Sequence, residues 1–299
     1  MRKILITGAG SFIGTSFENY IKNHEKHAEY EISVMDTLTG KLVGGESEDT
    51  WNFDGYDTVF HVAGIAHADV GKVTEEGKEL YRRVNTELAI ETAKKAKAAG
   101  VKQFIFMSSA IVYGASSPIG KEKIITKDTK PEPENFYGES KLNAETGLLE
   151  LSADDFKVVI LRPPMIYGPG CKGNYNSLRK FALKLPVFPK VANERSMLYI
   201  DNLCEFVRLM IDNEESGIFH PANAETSNTS EMVKMIAEAH GKKKALMGGL
   251  TWLLKLMSHF TGLVNKAFGN LTYSSELTEY KENYRVYSLA ESITATENK

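Results

Sequence analysis

Tyr137 and Lys141 stand four residues apart in Asn135-Phe-Tyr-Gly-Glu-Ser-Lys141. On a helix, positions i and i+4 share a face, so the ammonium is expected beside the phenol. A positive charge there favours phenolate and is expected to draw a tyrosine pKa down from about 10 towards neutrality. A phenol tuned in this way exchanges a proton with a sugar or alcohol oxygen. Tyr-x-x-x-Lys also arises by chance, so its meaning depends on what precedes it.

What precedes it is a strand, a glycine loop and a helix. Residues 3–7 read as a buried strand and Phe12–Asn23 as a helix, joined by Thr7-Gly8-Ala-Gly10-Ser-Phe-Ile-Gly14. Missing side chains permit a tight turn and let backbone amides approach a pyrophosphate at the helix's positive end. The dinucleotide cradle is therefore expected at Gly8, Gly10, Ser11, Phe12, Ile13 and Gly14. Its glycines are spaced G-x-G-x-x-x-G, not G-x-G-x-x-G. Asp36 closes the next strand. It either accepts both ribose hydroxyls, favouring NAD over NADP, or is an ordinary turn aspartate. His61-Val-Ala63-Gly64 ends a further buried strand, where Ala63 and Gly64 let a cofactor pass close by and His61 is expected to be packed and structural. With a dinucleotide present, nicotinamide handles hydride while Tyr137 handles the proton.

Short apolar runs over 31–35, 58–62, 104–107 and 158–161 alternate with helical patterns over 75–99 and 139–151. That alternation predicts parallel strands joined by crossover helices. Beyond about residue 165 proline and glycine punctuate shorter elements, with helices expected over 177–185, 202–212 and 230–240. The fold class is therefore α/β, a Rossmann-like doubly wound parallel sheet over residues 1–165. A smaller C-terminal substrate-binding region covers 166–299, partly interleaved with the first. The tail after about residue 290 is polar and expected to fray.

Bulk properties narrow the function. The 299 residues are 42% hydrophobic and 25% charged with a net charge of −3, which gives no electrostatic reason to bind nucleic acid or an anionic membrane. Cys171 and Cys204 are the only cysteines, too few for a disulfide scaffold or a cysteine-based metal site. No metal is expected. The chain starts straight into a strand without an apolar signal core, so a cytoplasmic protein is expected. The apolar stretch 245–268 is interrupted by Lys255, His259 and Lys266, which favours an amphipathic helix over stable membrane insertion.

Taken in order, residues 7–14, 61–64, Ser108-Ser-Ala-Ile-Val-Tyr-Gly114, 137–141, 162–170 and 195–202 resemble the extended short-chain dehydrogenase/reductase family over nearly the full chain. Its members are nucleotide-sugar epimerases, dehydratases and reductases. The family usually has G-x-x-G-x-x-G, with glycine where this chain has Ser11, whose hydroxyl could bond a phosphate instead. By resemblance, Ser109 is the catalytic hydroxyl that holds the substrate oxygen, with Ser108 as the structural alternative. Lys141 also binds the nicotinamide ribose, and Asn85 lies near the cofactor or is a helix-surface polar residue. Arg195 matches an arginine that grips a diphosphate, a task suited to a guanidinium's paired donors. Asn174 matches a substrate-contacting loop residue.

The resemblance also ranks reactions. Dehydratases of the family carry an Asp-Glu pair after the catalytic hydroxyl residue, whereas this chain has Ala110-Ile111. A 4-epimerase acting on a UDP-hexose or UDP-N-acetylhexosamine is expected, in a branch that serves surface polysaccharides. A 4-keto-sugar-nucleotide reductase is the alternative, and a non-catalytic dinucleotide-binding protein ranks third. NAD is the expected cofactor, with NADP as the alternative. The partners expected are a nucleotide-sugar substrate and a second copy of the chain. Such a homodimer would use the helices over 75–99 and around Lys141, unless the alanine-rich face of residues 89–99 packs on the sheet instead.

Overall fold

The computed structural model describes residues 1–45, 49–66, 74–249 and 268–298. They form two compact units, one of residues 1–114, 131–163 and 204–220, the other of 115–130, 164–203 and 221–299.

The first unit is built on a six-stranded sheet. Numbered along the chain, its strands are β1 (Arg2–Thr7), β2 (Tyr30–Met35), β3 (Thr58–His61), β4 (Gln103–Met107), β6 (Lys157–Leu161) and β10 (Gly217–Phe219). They lie in the order β10-β6-β4-β3-β1-β2, and every pairing is parallel. The register aligns Met35 and His61 with Thr7, and Leu161 with both Met107 and Phe219, so the carboxyl ends finish nearly level. Strand order reverses between β1 and β3, the switch point at which open α/β sheets bind ligands.

Burial on both faces explains the near-continuous apolar strands. One face packs Leu5, Val59, Phe104, Phe106 and Ile160 against alanines and Leu148 of two helices. α1 (Phe12–Asn23) buries Phe17 and Ile21, with the Phe17 ring edge-on to Phe60 at 5.2 Å. α2 (Glu75–Tyr81) runs through a π-helical segment, Arg82–Glu87, into α3 (Leu88–Ala98). α4 (Phe136–Leu149) begins at its N-cap Asn135, whose Oδ1 accepts from Gly138 N at 2.9 Å. The alanine-rich face of α3 is spent inside this unit, because Ala89, Ala93 and Ala96 are fully buried against the sheet.

The second unit pairs β5 (Ile124–Ile125) with β12 (Thr272–Tyr273), β7 (Met165–Tyr167) with β9 (Met197–Tyr199), and β8 (Val187–Pro189) with β11 (Ala245–Met247). α5 (Asn174–Lys184) and α7 (Thr229–Ala239) belong to it, while α6 (Ile200–Asp212) continues from it into the first unit at residue 204. Of the apolar stretch, Ala245–Met247 is strand rather than helix, and 250–267 lies outside the described residues.

The expected fraying of the tail is corrected. Leu289–Glu297 is a helix that opens with a capping box between Ser288 and Glu291. Glu297 is only 7% exposed and accepts from Arg179 and His240 at 2.7 Å and from Tyr175 at 2.9 Å. A buried carboxylate with three partners holds a helix whose composition is polar.

Candidate active site

β4 and β6 deliver the first hydroxyl. Ser108 N donates to Leu161 O at 2.8 Å and so extends the ladder by one residue. Ser109 then leaves the sheet as the N-cap of a 3-10 turn, Ala110–Tyr113, accepting from Ile111 N at 3.3 Å. Ser108 is buried and donates to Glu145, whereas Ser109 is partly exposed. The two adjacent serines therefore differ in employment, and Ser109 is the one open to a ligand.

The phenol arrives on the first turn of α4. A Cβ on Gly138 would lie 2.9 Å from both Ile111 O and Pro133 Cβ, so glycine lets the helix press against the turn after β4. That approach brings the Tyr137 phenol near enough to Ser109 for the serine hydroxyl to favour the phenolate. Lys141, one turn on, donates to Met107 O at 2.7 Å and stands 4.5 Å over the Phe106 ring.

Electrostatics correct one expectation. Burial pushes the Tyr137 phenol up to about 12, partly offset by the Ser109 hydroxyl, and Lys141 does not figure among its causes. Losing water costs the phenolate more than these neighbours return. The same loss brings the Lys141 ammonium down to about 8, with Glu145 opposing it. His61 is fully buried, its Nδ1 2.8 Å from Thr7 Oγ1 and its ring stacked between Phe104 and Phe106. Burial, helped by Lys141, lowers its pKa to about 3, so it stays neutral and structural.

The cofactor candidates converge on the β1/β3 switch point. Gly8 has φ +107°, and a Cβ there would lie 2.9 Å from Ala63 N. Gly10, displaced from its usual place, sits at φ +69°, a left-handed conformation suited to glycine. Ser11 caps α1, and its Oγ accepts from Gly14 N at 3.1 Å. Capping uses an oxygen lone pair and leaves the hydroxyl proton to donate. The amides of Phe12 and Ile13 open α1, where helix geometry offers no internal acceptor. A cavity of about 340 Å³ borders Gly8, Gly10 and Gly14. These features fit a pyrophosphate. Gly64 carries the line to Lys141, since its Cβ would meet Lys141 Nζ at 3.2 Å and Asn85 Oδ1 at 3.0 Å. Asn85 is fully buried rather than a helix-surface residue, and it joins Ile65 to Ser140 through its amide. Asp36 Oδ1 accepts from Leu38 N at 2.9 Å, so one carboxylate oxygen shapes a turn and the other has no hydrogen-bond partner among the described residues.

The remaining candidates lie in the second unit. Asn174 is exposed at the start of α5, after Gly173 at φ +95°. Arg195 is tied by its backbone to Ser227, and its Nη2 donates to Ser116 Oγ at 3.4 Å. Burial lowers its pKa.

Sequence reasoning missed Tyr81, which is 4% exposed, meets the Tyr137 ring edge-on at 6.0 Å and leaves its hydroxyl without a partner among the described residues. It also missed Glu145. The available signal was a carboxylate one turn beyond Lys141, facing an arginine that closes the apolar run of β6.

A parallel sheet with a glycine turn at its switch point and a tyrosine, serine and lysine at its carboxyl edge defines a dinucleotide-dependent enzyme of the Rossmann type. The model of the NAD dependent epimerase/dehydratase family matches residues 4–223, and the chain belongs to that family. It is 33% identical to a UDP-glucose 4-epimerase from Vibrio cholerae, over 93% of this chain and 85% of that protein. It is 27% identical to an N-acetyl-alpha-D-glucosaminyl-diphospho-ditrans,octacis-undecaprenol 4-epimerase from Escherichia coli O157:H7, over 80% of this chain and 73% of the other. The fold is shared with UDP-glucuronic acid 4-epimerase from Bacillus cereus in complex with NAD, at TM-score 0.71 and 20% identity, covering 99% of this chain and 96% of that one.

Proposed function

We propose that the protein is an NAD-dependent 4-epimerase of a nucleotide sugar, a UDP-hexose or UDP-N-acetylhexosamine. The observation that carries this reading is the packing of α4 on the turn after β4, which sets Tyr137 near Ser109 with Lys141 one turn along the same helix. The likeness to a UDP-glucose 4-epimerase supports it, as does the lack of a carboxylate at Ala110 and Ile111 for dehydration.

In this reading the amides of Phe12 and Ile13, with Ser11 and the glycines at 8, 10 and 14, hold the cofactor pyrophosphate. Asp36 takes the adenosine ribose, Ala63 and Gly64 leave room beside the cofactor, Asn85 braces that wall, and Lys141 takes the nicotinamide ribose. Bound NAD supplies the hydride acceptor and donor and, when oxidised, a positive charge. Ser109 holds the oxygen on sugar C4. Tyr137 takes the proton from that oxygen as hydride leaves the carbon, and returns it after the 4-keto ring has turned over. A phenol held at about 12 by burial needs favourable charge nearby to act as a base, and in this reading the oxidised cofactor brings it. Arg195 and Asn174 take the diphosphate and sugar. The enzyme works as a cytoplasmic homodimer and feeds surface polysaccharide synthesis.

A 4-keto reductase would use the same residues for one net transfer, with NADPH as well as NADH as donor. Incubation with NAD and UDP-glucose or UDP-N-acetylglucosamine separates the two. A C4 epimer without net NADH is expected. Consumption of NAD(P)H on a 4-keto sugar nucleotide, with no epimer formed, would make it a reductase. A third arm with polyprenyl-diphosphate-linked N-acetylglucosamine tests the substrate class named for the Escherichia coli relative.

A further inference from the structure

Behind the Tyr137–Ser109 pair runs a line of buried polar groups that the proton transfer does not use. Glu145 is 1% exposed and one helical turn beyond Lys141 on α4. Its carboxylate accepts from Ser108 Oγ, from Arg162 Nε at 3.1 Å to each oxygen, and from Arg162 Nη2 at 2.5 Å. Arg162 Nη1 donates to the Tyr113 hydroxyl at 2.7 Å, which lies 2.8 Å from His220 Nε2. Burial, with Arg162 adding to it, lowers His220 to about 4 and keeps the ring neutral. The line ties α4 to the turn after β4 and to the ends of β6 and β10.

A buried ion pair gives little net stability compared with well-packed apolar residues of the same volume. Its place here matches a need of Lys141. That ammonium is buried, and its hydrogen-bond partner is the neutral Met107 carbonyl. The groups near it are Glu145 one turn on along α4, the Phe106 ring from β4, neutral His61 from β3 and Asn85 from the π-helical segment, with Arg162 following β6 paired to Glu145. Among these, Glu145 brings the negative charge.

We propose that Glu145, fixed by Arg162 and Ser108, is a positioning residue that keeps Lys141 charged beside Tyr137. The proposal deepens the reading of Tyr137 and Lys141 given above. It agrees with the direction in which Glu145 acts on Lys141, upward against burial.

The test follows Lys141 itself, independently of turnover. In full-length protein with isotope-labelled lysine, the Lys141 signal is assigned by its loss in Lys141→Met and titrated by NMR. A midpoint near 8 is expected for the wild type. In Glu145→Gln it is expected to fall by about one pH unit or more. Because that change strands the Arg162 charge, the double variant Glu145→Gln with Arg162→Met serves if the single one does not fold, and its midpoint is again expected below wild type. An unchanged midpoint in the folded variant overturns the proposal. A lowered midpoint in a protein that shows no epimerisation supports it while refuting the 4-epimerase reading.

Discussion

Tyr137 and Lys141 lose water one turn apart on α4, and burial moves their titrations in opposite directions, the phenol up to about 12 and the ammonium down to about 8. Both changes favour the neutral form. At neutral pH the ammonium is still charged, and that charge is lost as pH rises through about 8. Turnover that depends on it is therefore expected to decline on an alkaline limb near pH 8, read from the pH dependence of kcat. A profile that stays flat through that region would contradict the assignment. Tyr81 offers a contrasting case, a buried hydroxyl without a partner among the described residues. An unmet buried hydroxyl costs about 1–3 kcal/mol, so Tyr81→Phe is expected to raise stability by about 1 kcal/mol in urea unfolding.

At the scale of elements, Gly138 sets how closely α4 meets the turn after β4. Gly138→Ala brings a Cβ to 2.9 Å from Ile111 O and Pro133 Cβ, so helix or turn must shift. A loss of about 1–3 kcal/mol is expected, with a fall in kcat as Tyr137 moves from Ser109. Ser288→Ala removes the cap of the C-terminal helix and is expected to cost about 1 kcal/mol in thermal unfolding. The strands of the sheet were legible because burial on both faces leaves runs such as KILIT and VVIL. β10 was not legible, being three residues long with Ile218 38% exposed at the sheet edge. The helix over 75–99 was readable as a whole, but its π-helical segment was not, since a shift in backbone hydrogen bonding has no side-chain signature. The C-terminal helix was misread because Glu297 anchors it through polar partners rather than through an apolar stripe. Tyr137, Lys141 and the glycine loop could be read from spacing. The line from Ser108 to His220 could not, because it joins residues distant in sequence.

For the whole molecule, two buried cysteines and a net charge of −3 leave association to surface shape rather than to disulfides or strong fields. The alanine face of α3 is buried on the sheet and so is not a surface for a second copy. Sedimentation velocity is expected to give twice the chain mass, and a monomer at micromolar concentration would refute the dimer. In the proposed reaction Tyr137 moves the proton at sugar C4 while hydride leaves and returns. The most direct measurement uses UDP-glucose deuterated at C4, comparing wild type with Tyr137→Phe. The wild type is expected to form the C4 epimer with its deuterium retained, and Tyr137→Phe to do so about 10²–10⁴-fold more slowly. Epimer formed at an equal rate by Tyr137→Phe, or with deuterium lost to solvent, would contradict it.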